Sequence, residues 1–350
     1  MKTKSFGKSS SALLKQKKSF FEENRKHLEY QQRIALIYAK QPTRKNCKNC
    51  NSAVDVKEGF DFQKGGIEYT ICNTCKHLNG IYDDTSSFCE AVYTEDKGAK
   101  YGETYSSKDI SSYHYRTTSI YVPKAEFLYT TLLANNVDPN ELEFLDFGAG
   151  SGYFISALRK IGLNNISGTE VSLAQVKLGN KMLNEELLKI HKIENTIEVL
   201  RNTTAQVISM IGVLEHLQYP REALRAIKDN NIIKYLYISV PLFSLSVFLE
   251  MLSPDIFHRH LSGTHTHLYT PESLQHLANE FELNVLGEWW FGTDIVDLFR
   301  HCHVNMVKSN ASQKVIETFS NKIVPIIDAL QLEIDKNLYS SEVHILFSKK

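Results

Sequence analysis

Apolar and polar residues follow two different patterns along this chain, and the change falls at Pro123. Beyond Pro123, short apolar runs alternate with stretches of helical composition, which predicts strands separated by helices. The predicted strands are residues 143–147, 166–170, 197–200, 206–211, 234–240, 282–290 and 342–348. Intervening helices are expected at 123–134, 172–191 and 220–228. This spacing predicts an α/β domain with a seven-stranded, doubly wound, mostly parallel sheet.

The chain before Pro123 shows no such alternation. Residues 1–10 are rich in Lys, Ser and Gly and are predicted to be disordered, whereas 11–40 lack Gly and Pro and read as helical. Together they form a basic N-terminal helical arm, 1–42. A cysteine module (43–90) and a tyrosine-rich connector (91–122) follow, and the main domain is 123–350. Within it, residues 292–341 read as a helical insert, longer than a normal connection.

Composition and charge exclude few classes of protein. The 350 residues are 42% hydrophobic and 23% charged with zero net charge, which is ordinary globular composition. No run approaches the roughly 18 apolar residues of a membrane span, so we expect a cytoplasmic protein with no membrane span. Residues 1–48 hold thirteen Lys and Arg against three Glu. Such an arm can bind polyanions, or it can be a solvated helix.

Two C-x-x-C pairs stand in the cysteine module with 21 residues between them: Cys47 and Cys50, then Cys72 and Cys75. Four thiolates in two such pairs predict a tetrahedral zinc site at ribbon spacing. A site with four cysteine ligands has no open position, so the zinc would be structural. Four unrelated reduced cysteines are the alternative.

The run FLDFGAGSGYF carries glycines at 148, 150 and 152 directly after a predicted strand. Tyr153 stands where a dinucleotide-binding turn has its third glycine, and the G-K-[ST] ending of a P-loop is missing. A tight turn at the carboxyl end of a strand nevertheless lets a ligand approach the backbone closely. Glu170 ends the next strand and can accept both hydroxyls of a ribose. With no phosphate cradle beside them, these features predict a nucleoside ligand without phosphates.

These motifs together resemble class I S-adenosylmethionine-dependent methyltransferases over residues 123–350. LDFGAGSGYF resembles their motif I, GTEVS their motif II, and AQVISMIGVLEHLQYPREALRAIK and YLYISVP their fourth and fifth strands. The resemblance implies a Rossmann-like fold, methyl transfer and S-adenosylmethionine as cofactor. It implies cofactor contacts from five residues: Asp146, Gly148, Gly150, Gly152 and Glu170. We predict further cofactor contacts from Glu215 and from Tyr153, whose ring can equally belong to the core.

The sequence departs from this family at two places. Gly212 stands where the family often has Asp, and the stretch IEVLRNTTAQ, expected to hold the third strand, lacks a clear acid for the adenine amine. The order of cysteine module, connector and methyltransferase domain resembles the sugar C-methyltransferases of deoxysugar pathways. That resemblance implies a small, sugar-like acceptor, such as a nucleotide-sugar for a surface polysaccharide. The alternatives are a zinc-containing RNA methyltransferase and a non-catalytic cofactor-binding subunit.

A general base is needed if the acceptor atom belongs to a hydroxyl or a carbon acid. His216 follows the fourth strand, at the sheet edge where ligands bind in doubly wound folds. The segment FHRHLSGTHTHLYT adds His258, His260, His265 and His267. We predict His216, His260, His265 and His267 as catalytic candidates, the last three on a substrate lid. A metal site or an exposed polar loop are the alternatives for that segment.

Aromatic residues add two weaker hypotheses. Trp289 and Trp290 end a predicted strand and can stack on a sugar or pack against the helical insert. In the connector, Tyr101, Tyr105 and Tyr113 can close over the cofactor or belong to an ordinary linker.

Overall fold

The computed structural model describes residues 3–16, 24–54, 59–94, 109–256, 260–261 and 264–350. Its strands, numbered in chain order, are β1 Thr3–Phe6, β2 Phe62–Lys64, β3 Ile67–Ile71, β4 Leu78–Gly80, β5 Phe144–Phe147, β6 Ile166–Glu170, β7 Leu188–Ile190, β8 Val207–Ile211, β9 Tyr235–Pro241, β10 His267–Leu268, β11 Leu283–Phe291 and β12 Glu342–Lys349.

The main domain is built on an eight-stranded sheet with the order β1-β11-β12-β9-β8-β5-β6-β7. Strand β12 runs antiparallel to both of its neighbours, and the other pairs in this sheet are parallel. The order reverses between β5 and β8, which is where doubly wound sheets bind their ligands. The predicted fold class is confirmed, with one strand more than the seven expected.

Helices cover both faces of this sheet. The helices of the described chain are Ser11–Gln16, Asn24–Tyr38, Ser86–Cys89, Ile110–Arg116, Val122–Ala134, Tyr153–Lys160, Leu173–Leu183, Thr196–Asn202, Pro220–Asp229, Leu245–Leu252, Pro271–Glu280, Asp294–Lys308, Gln313–Ile323 and Ile327–Lys336. Sequence signals fix several of their starts, since Ser172 and Thr270 cap their helices and Pro220 and Pro271 open theirs. Two large apolar clusters lie between the sheet and the helices on either face.

The extra strand comes from the residues that we expected to be disordered. Thr3–Phe6 pairs in parallel with residues 287–290 of β11. Gly287 permits this approach, because a Cβ there would lie 2.5 Å from Oγ1 of Thr3. The prediction of disorder for 1–10 was therefore wrong for this stretch, and the N-terminal arm completes the sheet edge.

The third parallel strand was also placed wrongly. Residues 197–200 lie in the helix Thr196–Asn202, while the strand is β7, inside the predicted helix 172–191. That helix ends early because Asn184 adopts a left-handed conformation, with φ 54°. The β-branched residues of TIEVL favoured a strand locally, but Leu200 is fully buried against the main core, and packing overrides propensity.

The cysteine module has its own four-stranded antiparallel sheet, ordered β10-β4-β3-β2. Strand β10 belongs to the main domain by sequence, so the small sheet crosses the predicted boundary at residue 90. A third apolar cluster joins the module's Tyr69 and Leu78 to Val247 and Leu268 of the main domain. The module is therefore packed firmly onto that domain.

The region predicted as a helical insert, 292–341, holds three helices, Asp294–Lys308, Gln313–Ile323 and Ile327–Lys336. Across the described residues, no helix combines the length and apolar character needed to cross a membrane.

Candidate functional site

The glycine turn connects β5 to the helix Tyr153–Lys160. Gly148, Gly150 and Gly152 have φ angles of 73°, 54° and 74°, a region that favours glycine. Space is a second reason at Gly148, where a Cβ would lie 2.6 Å from a methyl of Val213. The three glycines recognised in the sequence therefore form one tight turn at the switch point of the sheet, with Gly148 and Gly150 partly accessible.

Asp146 lies beneath this turn at the end of β5 and is buried. Its Oδ1 accepts the Ser209 hydroxyl at 2.7 Å. Burial raises the pKa of Asp146 to about 7; the Ser209 hydrogen bond opposes this rise and the Glu170 carboxylate adds to it. Near neutral pH this carboxyl can gain or lose a proton according to the charge of a ligand beside it.

Glu170 ends β6 and faces the glycine turn. Its carboxylate accepts backbone N–H groups from Gly150 at 2.9 Å, Val171 at 2.8 Å and Ser172 at 3.0 Å. Burial raises the pKa of Glu170, and these hydrogen bonds oppose the shift. The sequence predicted that Glu170 and the turn share one site, and the Gly150 contact brings them together.

A cleft of about 890 Å³ begins next to Glu170, lined by Val171 and by residues that follow β7, among them His191, Glu194 and Asn195. Burial lowers the pKa of His191 to about 4, so its neutral ring offers one donor and one acceptor. Neither ring nitrogen has a hydrogen-bond partner among the described residues. Sequence reasoning missed this cleft because it searched for an acid after residues 197–200 and not after β7.

Tyr153 begins the helix that follows the turn, and its ring is buried in an aromatic stack. Tyr113 lies 4.5 Å and Tyr121 5.3 Å from it between ring centroids, and the Arg116 guanidinium lies 5.0 Å from its centroid. The Tyr113 hydroxyl donates to the carbonyl of Ser151 in the turn at 3.0 Å. The end of the connector thus packs over the turn; Tyr101 and Tyr105 lie outside the described residues.

Glu215 and His216 lie in a short 3-10 turn, Leu214–His216, just beyond β8. Gly212 precedes them with φ 67°, so the departure from the family's aspartate coincides with a left-handed backbone. Glu215 is 3% exposed, and its Oε2 has no hydrogen-bond partner within the described chain. Burial raises the pKa of Glu215 to about 8.

His216 is oriented by Tyr93, which lies just after the cysteine module. The Tyr93 hydroxyl donates to the carbonyl of Thr264 at 3.1 Å and lies 2.9 Å from Nδ1 of His216. With that proton on the carbonyl, Nδ1 of His216 donates to the hydroxyl. The lone pair is then on Nε2, which lies 3.9 Å from Glu215 Oε1. Burial lowers the pKa of His216 to about 4.

His265 joins the same group. Its Nδ1 donates to the carbonyl of His260 at 2.8 Å, and its ring centroid lies 4.9 Å from that of His216. One ligand atom each from Glu215, His216 and His265 lies within 4.8 Å of the others. Two of the four predicted catalytic histidines therefore meet the buried carboxyl of Glu215.

The other two catalytic candidates lie elsewhere. Nε2 of His260 is 3.8 Å from Asp297 of the first insert helix. The fully buried His267 begins β10 and shares a 2.8 Å hydrogen bond with His77 of the cysteine module. Neither belongs to the Glu215–His216–His265 group, so this geometry gives their predicted catalytic role no support. His258 lies outside the described residues.

The two tryptophans belong to the core. Trp290 is buried in the main apolar cluster, and the Trp289 indole donates to the carbonyl of Gly7 at 2.9 Å. Of the two hypotheses for these residues, packing is the one that the structure favours over sugar stacking.

The four cysteines of the module come together in space. Sγ of Cys47 is 3.7 Å from Sγ of Cys75, and Cys50 is 3.5 Å from Cys72 in the same way. A zinc ion with bonds of about 2.3 Å to four sulfurs requires sulfur–sulfur distances of about 3.8 Å, so this set fits zinc. Asn51 and Lys76 each follow a pair with φ 62°, which closes the two turns that present the thiols.

The first of these turns contacts the main domain beside His216. Lys48 Nζ donates to the carbonyl of Gln218 at 2.5 Å, and the Asn49 amide donates to the carbonyl of Ser273 at 2.8 Å. Arg221 donates to the Asn49 carbonyl. The cysteine module is thereby fixed next to the turn that carries Glu215 and His216.

Comparison with known proteins gives a match within the main domain. Residues 122–288, just under half of the chain, match the family model described as a methyltransferase domain. A search of the curated proteins found no match.

Three solved structures illustrate the likeness. Magnesium protoporphyrin IX methyltransferase from Synechocystis PCC 6803, with bound SAH, shares 9% identity at a TM-score of 0.47, over 76% of this chain and 100% of that one. The plantazolicin methyltransferase BpumL in complex with SAH shares 13% at 0.45, over 75% and 93%. A putative sarcosine dimethylglycine methyltransferase from Galdieria sulphuraria shares 15% at 0.42, over 73% and 98%. Over residues 122–288, this chain is similar to methyltransferase domains, which supports an enzyme that transfers methyl groups.

Proposed function

We propose that this protein transfers a methyl group from S-adenosylmethionine to a small polar acceptor, a sugar or nucleotide-sugar first. The observation that carries the proposal is the contact between Glu170 and the glycine turn at the switch point of the sheet. An acidic side chain that faces a glycine turn, with a cleft beside it, suits a nucleoside. The family match over residues 122–288 supports the same chemistry.

In this proposal, different residues bind different parts of the cofactor. Glu170 is positioned to bind the ribose, and the cleft that starts at Val171 is positioned for the adenine. His191, Glu194 and Asn195 supply hydrogen-bonding groups there. The backbone of Gly148 to Gly152 leaves room for the methionine part, and Asp146 lies beneath that turn as a counter-charge.

Methyl transfer from a sulfonium is an in-line displacement, so the protein must chiefly align the acceptor atom with the methyl group. The sulfonium is itself an activated methyl donor, and the chain's own residues hold the acceptor. Glu215, His216 and His265 lie just beyond β8, the neighbour of β5 across the switch point. These polar groups are placed to contact the acceptor.

A sugar-like acceptor agrees with the side chains on that side, which are histidines and a carboxyl group. The basic N-terminal arm favoured an RNA acceptor, but some of its lysines make contacts within the protein. Lys4 lies 3.7 Å from Glu288, and Lys8 lies over the ring of Phe291. We therefore keep RNA as the second candidate.

Calorimetry tests the cofactor, with S-adenosylmethionine, S-adenosylhomocysteine, ATP and NAD+ added in turn to the zinc-loaded protein. We expect saturable binding of the first two and weak or no binding of the others. If the folded protein binds neither of the first two up to the high micromolar range, the proposed function is wrong.

Transfer of a labelled methyl group then tests the acceptor, with nucleotide-sugars and RNA offered side by side. Labelled nucleotide-sugar would support the proposal. Labelling of RNA alone, with an affinity that falls steeply as salt rises, would favour the second candidate.

A further inference from the structure

We propose that Glu215, His216 and His265 bind a divalent first-row transition-metal ion beside the methyl group to be transferred. The three side chains come from two chain segments, the turn after β8 and the residues before β10, yet their ligand atoms lie within 4.8 Å of one another. Metal binding does not depend on the proposed function, but the role that we give the metal in the reaction rests on it.

Both imidazoles are held in the form that a metal requires. Nδ1 of His265 faces the His260 carbonyl, which can only accept, so the proton is on Nδ1. Nδ1 of His216 faces Tyr93, whose own proton goes to Thr264. Nε2 of His265 therefore carries the lone pair, and so does Nε2 of His216 in the tautomer that donates to Tyr93, as metal-ligating histidines do when the other nitrogen donates to a carbonyl or a similar acceptor.

Glu215 supplies the second, independent observation. Its side chain is 3% exposed, and Oε2 has no hydrogen-bond partner among the described residues. A buried carboxyl oxygen without a partner is costly. Lys124 and Glu342 lie in the electrostatic surroundings of Glu215, and they act on it in opposite directions. A bound cation would satisfy this oxygen directly.

The donor set indicates which ions fit. Two imidazole nitrogens and one carboxylate oxygen suit Mn²⁺, Fe²⁺, Co²⁺ or Zn²⁺, whereas Mg²⁺ and Ca²⁺ prefer oxygen ligands. Three protein ligands leave coordination positions open. The site thus differs in kind from the four-thiolate cluster, which has no open position.

An open position gives the metal a role in the reaction. An acceptor hydroxyl bound there would lose its proton to water more readily, because a bound cation lowers the pKa of its oxygen ligand. The oxygen then attacks the methyl carbon, the carbon–sulfur bond breaks, and its electron pair stays on sulfur. The products are the methyl ether, S-adenosylhomocysteine and the proton already released.

Manganese titration followed by electron paramagnetic resonance tests the site directly. The full chain is loaded first with one equivalent of zinc and freed of excess, so that the four thiolates are filled and the second site is left for Mn²⁺. We expect about one tightly bound Mn²⁺ per chain. Glu215→Gln and His265→Asn, which alter ligands from different segments, should each weaken binding at least tenfold, while Glu222→Gln on the next helix leaves it unchanged. Melting curves confirm that each variant is folded.

Two results would overturn the inference. One is a folded wild-type protein that binds no Mn²⁺, Co²⁺ or further Zn²⁺ beyond the four-cysteine site. The other is binding that survives both ligand substitutions. Calorimetry with S-adenosylmethionine on the same samples separates the two proposals. Absence of cofactor binding would contradict the proposed function and would leave a measured metal site unaffected. Conversely, methyl transfer that continues unchanged in a chelator would rule out a role for the metal in the reaction. The proposed methyltransferase activity would then stand.

Discussion

The two halves of the candidate site are built in different ways. The donor half, meaning Asp146, the glycine turn and Glu170, lies within 25 consecutive residues, on neighbouring strands β5 and β6. The acceptor half, meaning Tyr93, Glu215, His216 and His265, comes from three segments that span the chain from 93 to 265. The donor half follows a motif in the sequence, whereas the acceptor half is assembled from distant segments, one of which, with Tyr93, lies just after the cysteine module.

The largest effect is expected from disruption of the four-cysteine site, which fixes the module beside the acceptor half. Cys47→Ser removes one thiolate of a closed metal site whose zinc contributes on the order of 10 kcal/mol to folding in small zinc domains. We expect loss of zinc by elemental analysis, unfolding of residues 43–90 in proteolysis, and loss of activity. Cofactor binding should weaken much less than activity, because Asp146, the glycine turn and Glu170 lie outside the module and Glu90 is its one described residue in the cleft lining. Full retention of zinc would contradict the four-cysteine site, and loss of cofactor binding would contradict the independence of the halves.

The next effect concerns the donor half alone. Glu170→Ala removes the carboxylate that faces the turn and should reduce cofactor affinity by about 30- to 1000-fold, equivalent to about 2–4 kcal/mol. Calorimetry measures the loss, and Glu194→Gln in the same cleft serves as a milder comparison. Mn²⁺ binding to the acceptor half should not change. An affinity for S-adenosylmethionine equal to that of wild type would show that Glu170 does not contribute to cofactor binding.

A pH dependence is expected at Asp146, whose pKa burial raises to about 7. In the cofactor-free protein this raised pKa contributes stability that is complete below about pH 3.9 and is lost as pH rises through 7. A cationic cofactor favours the ionised carboxylate. Its affinity should therefore rise by about tenfold per pH unit between pH 5 and 6 and level off above pH 7.

Calorimetry from pH 5 to 8 checks this expectation, with Asp146→Asn as the matched variant. The asparagine keeps the size of the side chain and a hydrogen bond with Ser209, but it cannot titrate. Its cofactor affinity should be weaker and flat across this range. The same slope in both proteins would assign the titration to another group.

The smallest effect is expected from Tyr93→Phe, which removes one hydroxyl and leaves the ring in place. Without it, Nδ1 of His216 loses the Tyr93 hydroxyl as a hydrogen-bond partner. We expect a loss of about tenfold in kcat, equivalent to about 1.4 kcal/mol, with little change in cofactor affinity. Steady-state kinetics measures it, and Tyr82→Phe in the module is the control. An equal loss in both variants would point to a general weakening of the module's packing.

Sequence reasoning succeeded where a feature depends on residues close in the chain. Four of the central strands, β5, β6, β8 and β9, fall within one or two residues of their predicted bounds, since continuous apolar runs mark buried parallel strands. It failed where tertiary contacts decide. The stretch 197–200 has strand propensity but packs as a helix. The mostly polar residues 3–6 become a strand because β11 offers a free edge at Gly287 and Phe6 packs against the main apolar cluster.

The sequence by itself determined the glycine turn, the acid after the second strand and the paired cysteines, because each depends on local backbone geometry or fixed spacing. Only the tertiary structure decided which histidines meet Glu215, where the third strand lies and which residues line the cleft after it. Those choices depend on how strand β10 and the cysteine module pack against the sheet. Contacts between segments more than a hundred residues apart are set by the packing of the whole molecule, and no local pattern records them.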